Sequence, residues 1–109
     1  MTKLVKTWER LEEGYTVVGY EIVSDDTTVG AMSVMDSYTG AYVEGIVVEE
    51  QYRGRGIGTD ALLQASSMYG GIAVAPDNER AARLYQRLGT ESRYEGAEYV
   101  DQGFGVYDI

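Results

Sequence analysis

Ile46-Val47-Val48-Glu49-Glu50-Gln51-Tyr52-Arg53-Gly54-Arg55-Gly56-Ile57-Gly58-Thr59 runs from a β-branched stretch, through alternating glycines and arginines, into a helical pattern. A strand, a glycine loop and a helix in that order make an anion cradle. Glycine lets the backbone turn tightly and lets a ligand approach the main chain. The helix that follows aims its free amides and the positive end of its dipole at the same place. Arg53 and Arg55 add forked donors suited to phosphate. A pyrophosphate is the natural guest, although glycine–arginine clusters also occur in plain loops.

Two familiar nucleotide loops do not fit. A phosphate-binding Walker loop needs Lys-Ser/Thr after its last glycine, and Gly58 is followed by Thr59-Asp60. A dinucleotide fingerprint spaces its glycines differently and sits in a parallel β-α-β unit. Here Gly54, Gly56 and Gly58 alternate, and the segments before them read as a meander.

Working back from the loop, Ala41–Val48, Thr28–Met35 and Tyr15–Val23 read as three strands rich in β-branched and aromatic residues. The turns Ser24-Asp25-Asp26-Thr27 and Ser37-Tyr38-Thr39-Gly40 join them as an antiparallel meander. Ahead of them, Leu4, Val5, Trp8 and Leu11 recur at helical spacing, with Gly14 placed to end the helix. Working forward, Ile57, Ala61, Leu62, Ala65 and Met68 trace a helical stripe, and Ile72-Ala73-Val74-Ala75 reads as a buried strand. Pro76-Asp77-Asn78 then opens a helix that Gly89 closes. The residues from Thr90 read as two strands separated near Glu95–Gly103. The expected order is α-β-β-β-α-β-α-β-β, one α+β domain over residues 1–109, with a mixed, mostly antiparallel sheet flanked by helices.

Asn78-x-x-Ala81-x-x-Leu84-Tyr85-x-x-x-Gly89 is the second constellation. Asn78 can cap the helix or reach a ligand, and Ala81 and Tyr85 share a face. Taken alone, a core alanine and a half-buried tyrosine explain that spacing equally well.

Composition limits the chemistry. The chain holds no histidine and no cysteine, which excludes serine–histidine and cysteine–histidine hydrolysis and any disulfide framework. No metal site is expected. Proton transfer is left to Asp, Glu, Tyr, Lys or water. The net charge is −9, but residues 53–93 carry six arginines against four acids, whereas residues 1–52 carry three bases against ten acids. An acidic body disfavours nucleic acid and favours cationic partners, and the middle segment is where an anion is welcome. Nothing approaches a membrane span or a signal peptide, so a cytoplasmic protein is expected.

Together the two constellations resemble the GNAT superfamily of acyl-CoA-dependent N-acetyltransferases. Arg53-Gly54-Arg55-Gly56-Ile57-Gly58 matches that family's Arg/Gln-x-x-Gly-x-Gly/Ala motif, and Asn78 through Gly89 matches its Asn-x-x-Ala-x-x-Leu-Tyr-x-x-x-Gly-Phe motif, with Thr90 in place of the phenylalanine. The resemblance implies acetyl-CoA as cofactor, its pyrophosphate on the amides of Arg53, Gly54, Arg55, Gly56, Ile57, Gly58 and Thr59. It implies a pantetheine arm paired with Ile46, Val47 and Val48, between strands that splay apart at Ala41–Val48 and Gly71–Ala75. Asn78 and Tyr85 border the same site. A main-chain N–H near Ile46 or Val47 polarises the thioester carbonyl, an amine attacks directly, and Tyr85 protonates the departing thiolate. Glu44 is the candidate base on the expectation that it shares a strand face with Ile46; Glu21 and Asp36 are weaker candidates.

With about 14 residues before the first clear strand, the family's N-terminal strand and helices are expected to be reduced to a single helix. That implies an open groove, a site completed in a homodimer, or a large acceptor. A small-molecule amine and a protein lysine or N-terminus both fit as acceptor. The alternative is a catalytically weak or inactive member of the fold that acts through protein–protein contact.

Overall fold

The computed structural model describes residues 1–93 and 96–109. Four long strands come first: β1 (Thr2–Glu12), β2 (Tyr15–Ser24), β3 (Thr27–Ser37) and β4 (Gly40–Val48). A 3-10 turn (Glu50–Tyr52) leads to helix α1 (Ile57–Tyr69), then β5 (Ala73–Val74), α2 (Glu79–Leu88), β6 (Thr90–Glu91), α3 (Ala97–Val100) and β7 (Tyr107–Asp108). The strands form one seven-stranded sheet in the order β1-β2-β3-β4-β5-β7-β6. Among the described residues only β4 and β5 run parallel.

The N-terminal helix expected from Leu4, Val5, Trp8 and Leu11 is instead β1, paired with β2 along its length. The error has a definite cause. Spacings of three and seven are odd, so a regular strand would scatter these residues over both faces while a helix gathers them. The β1–β2 register slips by one residue between Lys6 and Trp8. This bulge leaves Thr7 unpaired and re-phases everything after it. Leu4 and Leu11 then share one face, and Val5 and Trp8 share the other. Gly14, expected as a helix terminator, lies in the β1–β2 turn with φ 88°. The N-terminal segment is therefore a strand.

The β2–β3 turn uses Asp25 and Asp26 at φ 48° and 64°, as a tight hairpin of this twist requires. The core lies on one face of the meander, where Ile22, Val34 and Met32 meet Ala61, Leu62 and Ala65 of α1. α1 crosses that face as far as β1. Gln64 donates to the Thr2 carbonyl, and the Tyr69 and Tyr20 hydroxyls hydrogen-bond each other. Met68, expected on the buried stripe, is exposed, and Tyr69 supplies the inward contact at that end of the helix.

α2 begins where expected. Asn78 caps it, its Oδ1 accepting from the Ala81 amide at 2.8 Å. Gly89 ends it beside β7, and a Cβ there would overlap the Asp108 carbonyl oxygen. The tail forms two strands, each of two residues, with the short α3 between them. Glu95, at the near end of their expected separation, lies outside the described residues.

Candidate functional site

The site starts where β4 and β5 stop pairing. They are matched only at Tyr42–Ala73 and Val43–Val74. Beyond Val43 the two strands part, as the splaying implied by the resemblance requires. A bulge lies at the same point, because Val34 faces Val43 while Ser33 faces Gly45, leaving Glu44 extra. The β5-facing edge of β4 is thus unpaired toward Val48.

A cleft of about 840 Å³ opens there, within the size range of small-molecule sites. Its walls are Ile46, Val47 and Val48 of β4, the loop residues 52–54 and 56–59, and one side of α2 from Asn78 to Arg87. Gly54 and Gly56 have φ 79° and 78°, conformations a side chain resists. A Cβ added at either would meet no atom within 4 Å, so the space above them is open. The first intrahelical bond of α1 runs from the Asp60 amide to the Gly56 carbonyl at 3.0 Å. The amides of Ile57, Gly58 and Thr59 therefore precede any helical acceptor and point out of the helix end. Among the described residues no side chain caps this terminus.

The two loop arginines have different tasks. Arg53 lines the cleft, and its Nε donates to the Val48 carbonyl at 2.8 Å, fastening the loop to the end of β4. Arg55 is turned aside. It donates to the Gln51 carbonyl and lies over the Tyr52 ring, 5.7 Å from its centroid, and it is absent from the cleft wall. Asn78 does both things its position allows: it caps α2, donates to Asp77 at 2.8 Å, and still borders the cleft.

Tyr85 is 8% exposed and lines the cleft. Among the described residues its hydroxyl has no hydrogen-bond partner, yet it is not an enclosed orphan. It therefore reaches the open cleft. Burial, with a smaller contribution from the Asp77 carboxylate, raises its pKa above the ordinary phenol value. It stays protonated across the physiological range.

Glu44 is the residue expected to share the face of Ile46. The bulge breaks the alternation on which that expectation rested, and Glu44 is exposed and outside the cleft wall. Glu21, which accepts from Thr28, and Asp36 are also outside it.

The sequence reading passed over Arg80 and Arg87, which line the cleft together with Asp77. Their separation of seven places them on one side of α2 with Leu84, four after Arg80 and three before Arg87, a signal available from the spacing around that motif leucine. With Arg53 they give the cleft its positive charge.

A model of the acetyltransferase (GNAT) family matches residues 1–90. No curated protein sequence matches the chain. Solved structures do. An acetyltransferase from Thermus thermophilus aligns at TM-score 0.62 and 16% identity, over 84% of this chain and 61% of that one. The PaiA N-acetyltransferase from Thermoplasma acidophilum, in complex with coenzyme A, aligns at TM-score 0.62 and 14% identity, over 84% and 58%. A candidate streptothricin acetyltransferase from Bacillus anthracis, in complex with acetyl coenzyme A, aligns at 0.61 and 19%, over 85% and 61%. At these identities the likeness is one of fold. The chain spans about three-fifths of the length of these structures.

Proposed function

The chain belongs to the acetyltransferase (GNAT) family, and from that membership we propose that it transfers an acetyl group from acetyl-CoA to a primary amine. The observation that carries the proposal is the continuity of the cleft. One open space joins the free amides at the start of α1, the unpaired edge of β4 and the Tyr85 hydroxyl. The residues present fit the group: an unfilled glycine turn, a helix start without a capping side chain, and three arginines.

In this reading the amides from Arg53 to Thr59 hold the pyrophosphate, with Arg53, Arg80 and Arg87 supplying charge. The main chain of Ile46–Val48 holds the pantetheine arm, and an N–H of Ile46 or Val47 stabilises the oxyanion that forms during attack. When bound, acetyl-CoA supplies the activated thioester. Holding amine and thioester together supplies much of the rate. Tyr85 keeps a proton at its hydroxyl for the departing sulfur. Glu44, exposed at the bulge two residues before Ile46, takes the amine's proton through solvent. The acidic body favours a cationic acceptor, either a polyamine-like molecule or a protein lysine or N-terminus. The cytoplasm is the setting for this reaction.

A second reading is favoured by one observation: among the described residues, Asp77 is the sole carboxylate on the cleft wall. A family member without a placed base could keep the fold and act through protein contact. Thiol release from acetyl-CoA, measured with a polyamine and with a lysine-rich peptide, separates the two. Release that depends on an amine supports transfer. Bound cofactor with no release from any amine supports the second reading.

A further inference from the structure

β1 ends the sheet on one side, and among the described residues nothing pairs with its long outer edge. The opposite edge, β6, has two residues and presents little to pair with. Long edge strands are usually guarded against pairing by charge placement, bulges or a covering element. On β1 the charges do something else. Val5, Trp8 and Leu11 are 38%, 46% and 79% exposed along this edge strand, and the charges around them are self-complementary.

We infer that β1 is a homodimer interface, pairing antiparallel with β1 of a second copy so that Lys3 faces Glu12, Leu4 faces Leu11 and Lys6 faces Glu9. Residues directly opposite in an antiparallel pair must lie on the same face of the sheet. In a regular strand these pairs, an odd number of positions apart, would fall on opposite faces. The bulge at Thr7 removes that conflict. Lys3 and Glu12 both lie on the face away from α1, and Leu4, Leu11, Lys6 and Glu9 all lie on the α1 face. The structure shows one consequence directly: Lys6 and Glu9 of the same strand reach each other at 3.1 Å, so they share a face.

A two-fold axis makes every match occur twice, giving four ion pairs and two leucine contacts. The alternatives are worse. The neighbouring registers that keep faces matched are shifted by two: one sets Lys6 against Lys6 and Lys3 against Arg10, the other Glu9 against Glu9 and Lys6 against Leu11. The bulge that disguised β1 as a helix in the sequence is the same one that makes this strand complementary to itself. The inference does not depend on the acyl-transfer reading.

The test is sedimentation of the purified chain at tens of micromolar, in low and high salt. The expected mass is twice the 12.0 kDa of one chain, with weaker association in high salt. Lys6→Glu and Glu9→Lys each set like charges against each other twice, and each should raise the dissociation constant about tenfold or more. The double exchange Lys6→Glu/Glu9→Lys restores opposite charges and should restore the dimer. Circular dichroism confirms that each variant is folded. For register, Leu4→Cys/Leu11→Cys in a chain with no native cysteine should oxidise to a covalent dimer. A wild-type chain that stays monomeric, as it would if β1 served a different protein, overturns the inference. So does a dimer indifferent to Lys6→Glu, or a double exchange that fails to restore association.

Discussion

The two halves of this molecule are built on different principles. Residues 2–48 form four strands of nine to eleven residues, each hydrogen-bonded to the next for nearly its whole length. After Val48, β5, β6 and β7 have two residues apiece, and helices and loops carry the chain. Both halves contribute buried aliphatic side chains to the core, but the second alone holds every cleft arginine and Tyr85. The two meet at the bulge in β4, where regular pairing ends and the cleft begins. A rigid sheet holds its last strand's edge in place, and short, locally capped elements arrange ligand-facing groups around that edge.

Changes in the two halves should therefore separate stability from function. The largest stability effect is expected at Ile22, which is 0% exposed in β2. Ile22→Ala should cost about 2–5 kcal/mol in urea denaturation, with little change in cofactor affinity of the folded protein. A large affinity change would mean that the halves are not separable. Next, Tyr85→Phe should lower turnover about a hundredfold while barely changing stability or cofactor affinity. Wild-type turnover in that variant removes the general-acid role.

The pH profile sharpens the same point. Because burial raises the Tyr85 pKa, its proton is retained past the ordinary phenol value, about 10. The alkaline fall in turnover should begin above that value and be missing in Tyr85→Phe. The stability that Tyr85 contributes is likewise complete below pH about 10 and lost as pH rises through the higher folded-state value. Asn78→Ala should have the smallest effect, about 1 kcal/mol from the lost cap, with a modest loss of affinity because Asn78 also borders the cleft. An unchanged denaturation midpoint would contradict the capping role.

The sequence made the second half more legible than the first, because its signals are local. Asn78 as a cap, Gly89 as a stop, and alternating glycines before a helix each report a backbone requirement within a few residues. The splaying of β4 from β5, and the placing of Tyr85 at the cleft, followed from the motifs that carried the resemblance. The two main misreadings share one physical origin. At Thr7 and at Glu44 a single inserted residue shifts the phase of a strand. Such a bulge is settled by pairing with a strand far along the chain, and no residue type nearby announces it. The first bulge gave β1 a helical spacing; the second broke the alternation on which the reading of Glu44 rested. Arg80 and Arg87 went unread for a different reason. Exposed arginines on a helix are ordinary, and they became significant only when the fold set them against the glycine loop.

The most direct test is calorimetric titration of acetyl-CoA into the wild-type chain and into Gly56→Leu. The space above Gly56 is open, while its backbone at φ 78° disfavours a side chain, so the substitution strikes the cradle rather than the core. Micromolar binding by the wild type, with affinity lost in Gly56→Leu, is the predicted result. No binding to the wild type at millimolar acetyl-CoA, or equal affinity in the two proteins, would contradict the account.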